Sequence, residues 1–160
     1  MGRPEKRRCE VSTSEYVSVS IREGYIGAAN ASAHLLPEGQ WWVARVFVHP
    51  RFRRGGYGSQ CLIRAIELIR EHSQAPVIVA PGGYDIPFEE QQAFYARCGF
   101  VGGELMTLDD GKFARILAEV RSARGEGHDC VHEGRPSLPQ GGAHPLEGPR
   151  GRSSDGERSS

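Results

Sequence analysis

Apolar and polar residues alternate along E-Y-V-S-V-S-I, where Val17, Val19 and Ile21 recur at every second position, the period of a half-buried strand. Glu23-Gly24 breaks this run, and Y-I-G-A-A-N-A-S-A-H-L-L resumes it as a second strand built of small residues. After a turn at Pro37, Gly39 and Gln40, the stretch W-W-V-A-R-V-F-V is almost continuously apolar, which predicts a strand buried on both faces. Trp41 and Trp42 cannot share one face of that strand, so one is expected in the core. From Ser59 to His72 the period changes. Leu62, Ile66 and Ile69 fall at i, i+4 and i+7 beside Ala65, while Arg64, Glu67, Arg70 and Glu71 face away, and this predicts an amphipathic helix.

A-P-V-I-V-A then reads as a short strand ended by P-G-G. Asp85 as a polar cap and Pro87 in a first turn suit the entry of a second helix, which carries Phe94, Tyr95 and Cys98 and stops at Gly99. In the closing stretch, Asp110-Gly111 between two apolar runs is a two-residue hairpin signal, and we read it so. The competing reading is a helix with Phe113, Ile116, Leu117 and Val120 on one side. The order is β-β-β-α-β-α-β-β. Its strand-helix-strand unit, residues 41 to 80, requires a right-handed crossover and hence a parallel pair inside a mixed sheet, an α/β (α+β) class.

Composition marks off the ends. Between Arg121 and Ser160 no residue is aromatic and Gly, Pro and Ser dominate, so 121–160 is expected to be a disordered tail, and 1–12 a flexible basic arm, leaving 13–120 as the domain. Within the tail, His128, Cys130 and His132 could meet a metal, but a floppy segment preorganises no site, and none is expected. Lys+Arg and Asp+Glu balance at 20 each, which gives no argument for nucleic acid or a membrane surface. The four cysteines form no C-x-x-C pair, no run approaches a membrane span and the N-terminus lacks an apolar leader, so a cytoplasmic protein is expected.

Candidate chemistry concentrates in V-H-P-R-F-R-R-G-G-Y-G-S-Q, directly before the first helix. A helix N-terminus presents unpaired amides and the positive end of the peptide dipoles, and glycines let backbone approach an anion without an intervening Cβ. The loop is built for a phosphate or pyrophosphate, with the arginines as an outer layer. A plain structural turn and a nucleic-acid contact are the competing readings. It matches neither G-x-G-x-x-G nor G-x-x-x-x-G-K-[ST].

The same stretch resembles the V-x-P-x-x-R-x-x-G-x-G/A signature of the GNAT superfamily of acyl-CoA-dependent N-acyltransferases, through Val48, Pro50, Arg53, Gly56 and Gly58. Downstream, A-F-Y-A-R-C-G-F is similar to that family's Y-x-x-x-G-F, with Tyr95, Gly99 and Phe100 in register. The resemblance implies a GNAT-type mixed β-sheet flanked by helices, here shortened at the N-terminus. It further implies that the backbone of Val46, Phe47 and Val48 pairs with the pantetheine arm of acetyl-CoA. The amides of Arg53, Arg54, Gly55, Gly56, Tyr57, Gly58 and Ser59 would hold the pyrophosphate, and an amide near Phe47 or Val48 the oxyanion. Tyr95 would protonate the departing thiolate, and no metal is called for.

The chain departs from the family pattern twice. R-R-G-G replaces R-G-basic-G, which asks Arg54 for a backbone geometry that glycine often supplies, and Phe88 stands where asparagine is frequent. For the general base, Asp85, Glu89, Glu90, His34 and His49 are candidates, each with a structural role as the competing reading. The expected activity is acetyl transfer to an unidentified amine, of a small molecule or a protein; the alternative is a catalytically reduced acyl-CoA-binding module of the same fold, and a homodimer is conceivable.

Overall fold

A computed structural model describes residues 2, 5–83 and 85–125 of the chain. Two compact units divide at Val120 and Arg121. Of the second, residues 121–125 are described, and 121–123 are helical where the disordered tail was expected to begin; the rest of that expected tail, from 126 on, and the His128, Cys130 and His132 cluster lie outside the described residues.

The first unit carries a seven-stranded sheet in the order β1-β2-β3-β4-β5-β7-β6. Its strands are β1 (Lys6–Ser12), β2 (Tyr16–Glu23), β3 (Ile26–Leu35), β4 (Trp41–Val48), β5 (Val77–Val79), β6 (Phe100–Gly102) and β7 (Met106–Leu108). The helices are α1 (Tyr57–Arg70), α2 (Phe88–Arg97) and α3 (Asp110–Ala123), with a 3-10 turn at Pro50–Phe52. β4 and β5 run parallel, as a crossover through α1 requires, and the other strand pairs are antiparallel.

α1 lies on the face formed by Val17, Val19 and Ile21 of β2 and by Ala29, Ala31 and Ala33 of β3, which oppose one another in register. Alanine on β3 leaves room for the helix to come close, and Cys61, Leu62, Ala65, Ile66 and Ile69 fill the interface. The other face of these strands is polar, with Asn30 donating to the Ser18 hydroxyl at 3.1 Å and to the Val19 carbonyl at 3.3 Å. An antiparallel meander with one solvated face alternates in this way.

Three expectations are corrected. Residues 1–12 are not an arm throughout, because Lys6–Ser12 forms β1 along the edge of β2. All seven of its residues are exposed, so it is held by backbone pairing and surface ion pairs and carries no burial pattern to read. The N-terminal strand is therefore present, and a tight link at Thr13–Glu15 joins it to β2 without a helix.

Second, β4 is not buried on both faces. Its register with β3 skips Ala44, and this bulge puts Trp41, Val43, Val46 and Val48 on the α1 side despite their uneven spacing. Arg45 and Phe47 are left exposed on the other side, their side chains stacked, with Trp42 half-buried. Trp41 is the core tryptophan and donates Nε1–H to Ser73 Oγ at 3.2 Å.

Third, Asp110-Gly111 is no hairpin turn. Asp109 accepts the Lys112 amide on its carboxylate at 2.9 Å and the Phe113 amide on its carbonyl at 2.9 Å, which caps α3 and commits Gly111 to its first turn. Phe113, Ile116, Leu117 and Val120 face the core as the helical reading requires.

Three titratable groups are buried in this core, and for each of them burial outweighs the influence of its neighbours. Burial pushes the Cys61 thiol up to about 11, the Cys98 thiol up to about 12 and the Tyr95 phenol up to about 12. Their neutral forms are favoured on folding, so the stability they contribute is whole below the ordinary thiol value of 9.0. It is lost as pH rises toward the folded values, by about 1.4 kcal/mol per group per pH unit. The thermal midpoint is expected to stay flat to pH 8 and fall steeply beyond pH 9, and Cys98→Ala should flatten the fall in a pH series of melts.

Candidate functional site

β4 and β5 touch over two register pairs, Trp41↔Val77 and Trp42↔Ile78. Beyond Trp42, β4 continues to Val48 paired with β3, while β5 stops at Val79. The strands thus part, and the edge of Ala44–Val48 turned toward β5 has no neighbouring strand in the sheet. After β5 the chain is tied to α2 by Gln91, whose side chain accepts the Gly82 amide at 2.9 Å and donates to the Ile86 carbonyl at 3.0 Å. A gap of this kind accepts an extended molecule lying alongside a strand.

At the end of the gap the chain makes its 3-10 turn and enters α1. Gly56, with φ of +79°, is the N-cap and supplies no side-chain hydrogen bond, and the first turn carries no acidic residue. The first intrahelical bond runs from the Gln60 amide to the Gly56 carbonyl at 3.0 Å, so the amides of Tyr57, Gly58 and Ser59 precede it. Arg51, Arg53 and Arg54 are exposed around this terminus. Among the described residues no capping side chain and no acid of the first turn meets the positive end of the helix, which is the arrangement an anion completes.

Gly58 fixes how closely the parts meet. A Cβ there would stand 2.8 Å from Val48 Cγ2 and 3.6 Å from the Phe94 ring, so α1, the end of β4 and α2 converge on one hydrogen-sized space. Phe94 was not singled out by its sequence context. Its signal was adjacency to Tyr95 on the same helix.

Arg54 adopts φ of +69°, alone among the described non-glycine residues in the left-handed region. The expectation that R-R-G-G would ask this of Arg54 is met. Left-handed backbone costs an L-residue about 1 kcal/mol. Arg54→Gly is accordingly expected to raise the thermal midpoint by a few degrees, read in a melt without ligand, whereas Gly55→Arg should leave it unchanged.

The other side chains are distributed as follows. The Tyr57 hydroxyl hydrogen-bonds the Glu23 carboxylate at the end of β2, and that bond, ahead of burial, raises its pKa. Its ring is capped by Lys6 at 4.5 Å, so the side chain serves β1 and β2 while its amide remains at the helix terminus. Ser59 turns its hydroxyl back to the Gly56 carbonyl at 3.0 Å. Tyr95 lies on α2 between the rings of Phe94 and Phe100, with centroids at 5.2 and 5.8 Å, and is 8% exposed. Among the described residues its hydroxyl has no hydrogen-bond partner.

The base candidates are not brought together. His49 uses Nδ1 to accept the Arg51 amide at 3.2 Å and so caps the 3-10 turn. His34 sits half-buried opposite Trp42 on the polar face of β3. Asp85, Glu89 and Glu90 are exposed, and α2 takes Pro87 rather than Asp85 as its N-cap. Glu89 borders a depression of about 410 Å³ with Gln92, Phe100, Val101, Met106 and Lys112. A second, of about 310 Å³, lies between Glu23, Tyr25, Ile26, Arg51 and Phe52. Neither is lined by β4. The gap beside that strand is an open groove, which an extended ligand would close by occupying it.

Among the described residues no cluster of three or more His, Cys, Asp or Glu side chains could hold a metal ion, and no helix is long and apolar enough to cross a membrane.

Residues 13–102 match the sequence model of an acetyltransferase (GNAT) domain. No curated protein matches the chain. Among solved structures, a protein described as a GNAT-family acetyltransferase from Desulfovibrio desulfuricans is 19% identical, with a TM-score of 0.53 over 59% of this chain and 69% of that one. An uncharacterised protein from Bacillus halodurans is 9% identical, with a TM-score of 0.54 over 70% of this chain and 68% of that one. Likeness at these identities concerns the fold.

Proposed function

The chain belongs to the GNAT acetyltransferase family, and from that premise we propose that it moves an acetyl group from acetyl-CoA to a primary amine by direct attack on the thioester. The observation that carries this reading is the continuity of the parted β4 edge with the uncapped, arginine-ringed terminus of α1. An acyl-CoA is an extended, amide-bearing arm joined to a pyrophosphate, and the groove and terminus offer its two halves what they lack, strand partners and amide donors. In this reading Val46, Phe47 and Val48 line the arm, and the backbone from Arg53 to Ser59 takes the pyrophosphate.

The neutral amine nitrogen attacks the thioester carbonyl carbon, and the carbonyl oxygen becomes an oxyanion that an amide near Phe47 or Val48 would stabilise. Collapse breaks the carbon–sulfur bond, and the Tyr95 phenol gives its proton to the leaving sulfur. The proton that the nitrogen loses returns through solvent to the Tyr95 phenolate, so that the phenol is restored and one proton has moved from nitrogen to sulfur overall. Tyr95 suits the donor's part because burial keeps it protonated, with its pKa pushed up to about 12, and among the described residues its hydroxyl has no hydrogen-bond partner.

One observation favours a second reading. His49 is spent as a cap and the carboxylate candidates point to solvent, which fits a module of the same fold that binds acyl-CoA without turnover. Titrating acetyl-CoA in a thermal-shift assay, with Gly56→Trp as control, tests the shared premise. Binding should raise stability by about 2.7 kcal/mol at a hundredfold excess over Kd, and the substitution should abolish the rise. Thiol release across a panel of amines then separates the readings. No shift with a folded chain sinks both.

A further inference from the structure

The free edge of β1 carries an inference independent of the acyl-transfer reading. β1 lies at one end of the sheet, and among the described residues β2 is its sole strand neighbour. The Glu5 carbonyl accepts the Gly24 amide at 3.1 Å and the Thr13 amide donates to the Tyr16 carbonyl at 2.8 Å, so odd-numbered residues turn their backbone groups toward β2. The register from Lys6↔Glu23 to Ser12↔Val17 has no slip. Lys6, Arg8, Glu10 and Ser12 therefore turn theirs outward, an unpaired row that another strand can take up.

We propose that this row is the interface for a second copy of the chain, pairing antiparallel about a two-fold axis at Cys9. The choice of occupant rests on charge and parity. A two-fold axis perpendicular to the sheet leaves each residue on the same face in both copies, and directly opposed residues must share a face. Since faces alternate along a strand, the axis has to pass through a residue and not between two. Through Arg8 it opposes Arg8 to Arg8, and through Glu10 it opposes Glu10 to Glu10. Through Cys9 it opposes Arg8 to Glu10 twice, Arg7 to Val11 and Lys6 to Ser12, with no like charges facing.

The faces agree with this. Arg8 and Glu10 lie on the α1 side, where Glu10 already meets Arg8 at 3.0 Å and Arg64 at 2.8 Å, so a second Arg8 joins an existing network. Cys9 lies on the other side, opposite Ser20, exposed and unbridged. With Arg8 and Glu10 hydrogen-bonded across the axis, Cys9 faces Cys9 in a non-hydrogen-bonded pair, for which the Cα separation is about 4.5 Å and within disulfide reach.

The test uses the full chain carrying Cys130→Ser, so that Cys9 is its one exposed described thiol. Sedimentation equilibrium should show a reversible dimer. Diamide should convert it to a covalent one: each Cys9 thiol gives up a hydrogen, the sulfurs join, and the azo reagent is reduced to its hydrazine. Cys9→Ser should keep the reversible dimer and lose the cross-link. Arg8→Glu alone and Glu10→Arg alone should each be monomeric, and an equimolar mixture of the two should associate again, since each strand then opposes unlike charges. If either charge variant proves unfolded by circular dichroism, the thiol is moved instead. With Cys9→Ser and Val11→Cys the new thiol faces Arg7, and cross-linking should fall at least tenfold. A native chain that stays monomeric, a dimer indifferent to both charge changes, or equal cross-linking from positions 9 and 11 would each overturn the proposal.

Discussion

Tyr95→Phe is expected to lower kcat for acetyl transfer by about 10²- to 10⁴-fold, the range a positioned general acid supplies. Affinity for acetyl-CoA should be unchanged, because the ring stays wedged between Phe94 and Phe100 and the oxygen removed has no hydrogen-bond partner among the described residues. Stability should hold or rise slightly, since burying an unpaired hydroxyl is unfavourable. The split matters: a Tyr95 that served packing alone would leave kcat intact, whereas a proton donor loses turnover and keeps binding. The pH profile adds a second reading of the same group. With the phenol held up to about 12, the rate should climb as the amine acceptor deprotonates and show no descending limb from Tyr95 below pH 10. Stopped-flow thiol release on wild type and variant, from pH 6 to 10, decides it.

Gly58→Val should be the most damaging single change in the loop. The space at Gly58 is closed by Val48 Cγ2, 2.8 Å from where a Cβ would stand, and Val48 is stiff at χ1 and anchored in a central strand. Relief requires β4 and α1 to part, at a cost of about 1–3 kcal/mol for overpacking. That same movement displaces the amides of Tyr57, Gly58 and Ser59 from the end of the groove, so acetyl-CoA affinity should drop by more than the stability loss alone explains. Urea unfolding and calorimetric titration measure the two effects. Gly58→Ala combined with Val48→Ala should recover much of both, and a failure of that pair to couple would show that the close approach is not what Gly58 provides.

What the sequence disclosed depended on whether a position's burial was set locally. α1 was readable from its stripe because Leu62, Ile66 and Ile69 contact the sheet at helical spacing whatever the sheet's register. β1 had no such stripe, since a strand fixed through its backbone and by Arg8, Glu10 and Arg64 needs no apolar alternation. The third helix was obscured by competition between two uses of the same residues. Asp110-Gly111 fits a type I′ turn, and the decision fell to Asp109, one position earlier, capping a helix that Phe113 could pack. At the candidate site, the strained Arg54 could be anticipated because glycine's exchange with arginine in the loop moves a specific backbone demand. The convergence of Val48, Gly58 and Phe94 could not, for it joins residues from three elements whose packing is long-range.

The skipped residue on β4 makes that strand behave as text with a silent letter. Trp41 and Val43 stand on the core side upstream of Ala44, and Val46 and Val48 downstream of it, so the two halves agree in phase because the bulge lifts one letter out of the count. Pairing Ala44 in register would turn Arg45 and Phe47 inward and Val46 and Val48 outward together. Substituting Ala44 by another small residue keeps the phase, and so does deleting it, since Val43 and Arg45 already pair with the adjacent Ala33 and Ser32. One letter on this strand is thus free in spelling and even in presence: lineages descended from such a sequence can lose the residue at the bulge without rewriting a position that follows, whereas a deletion anywhere else on the strand must be absorbed by closing the bulge.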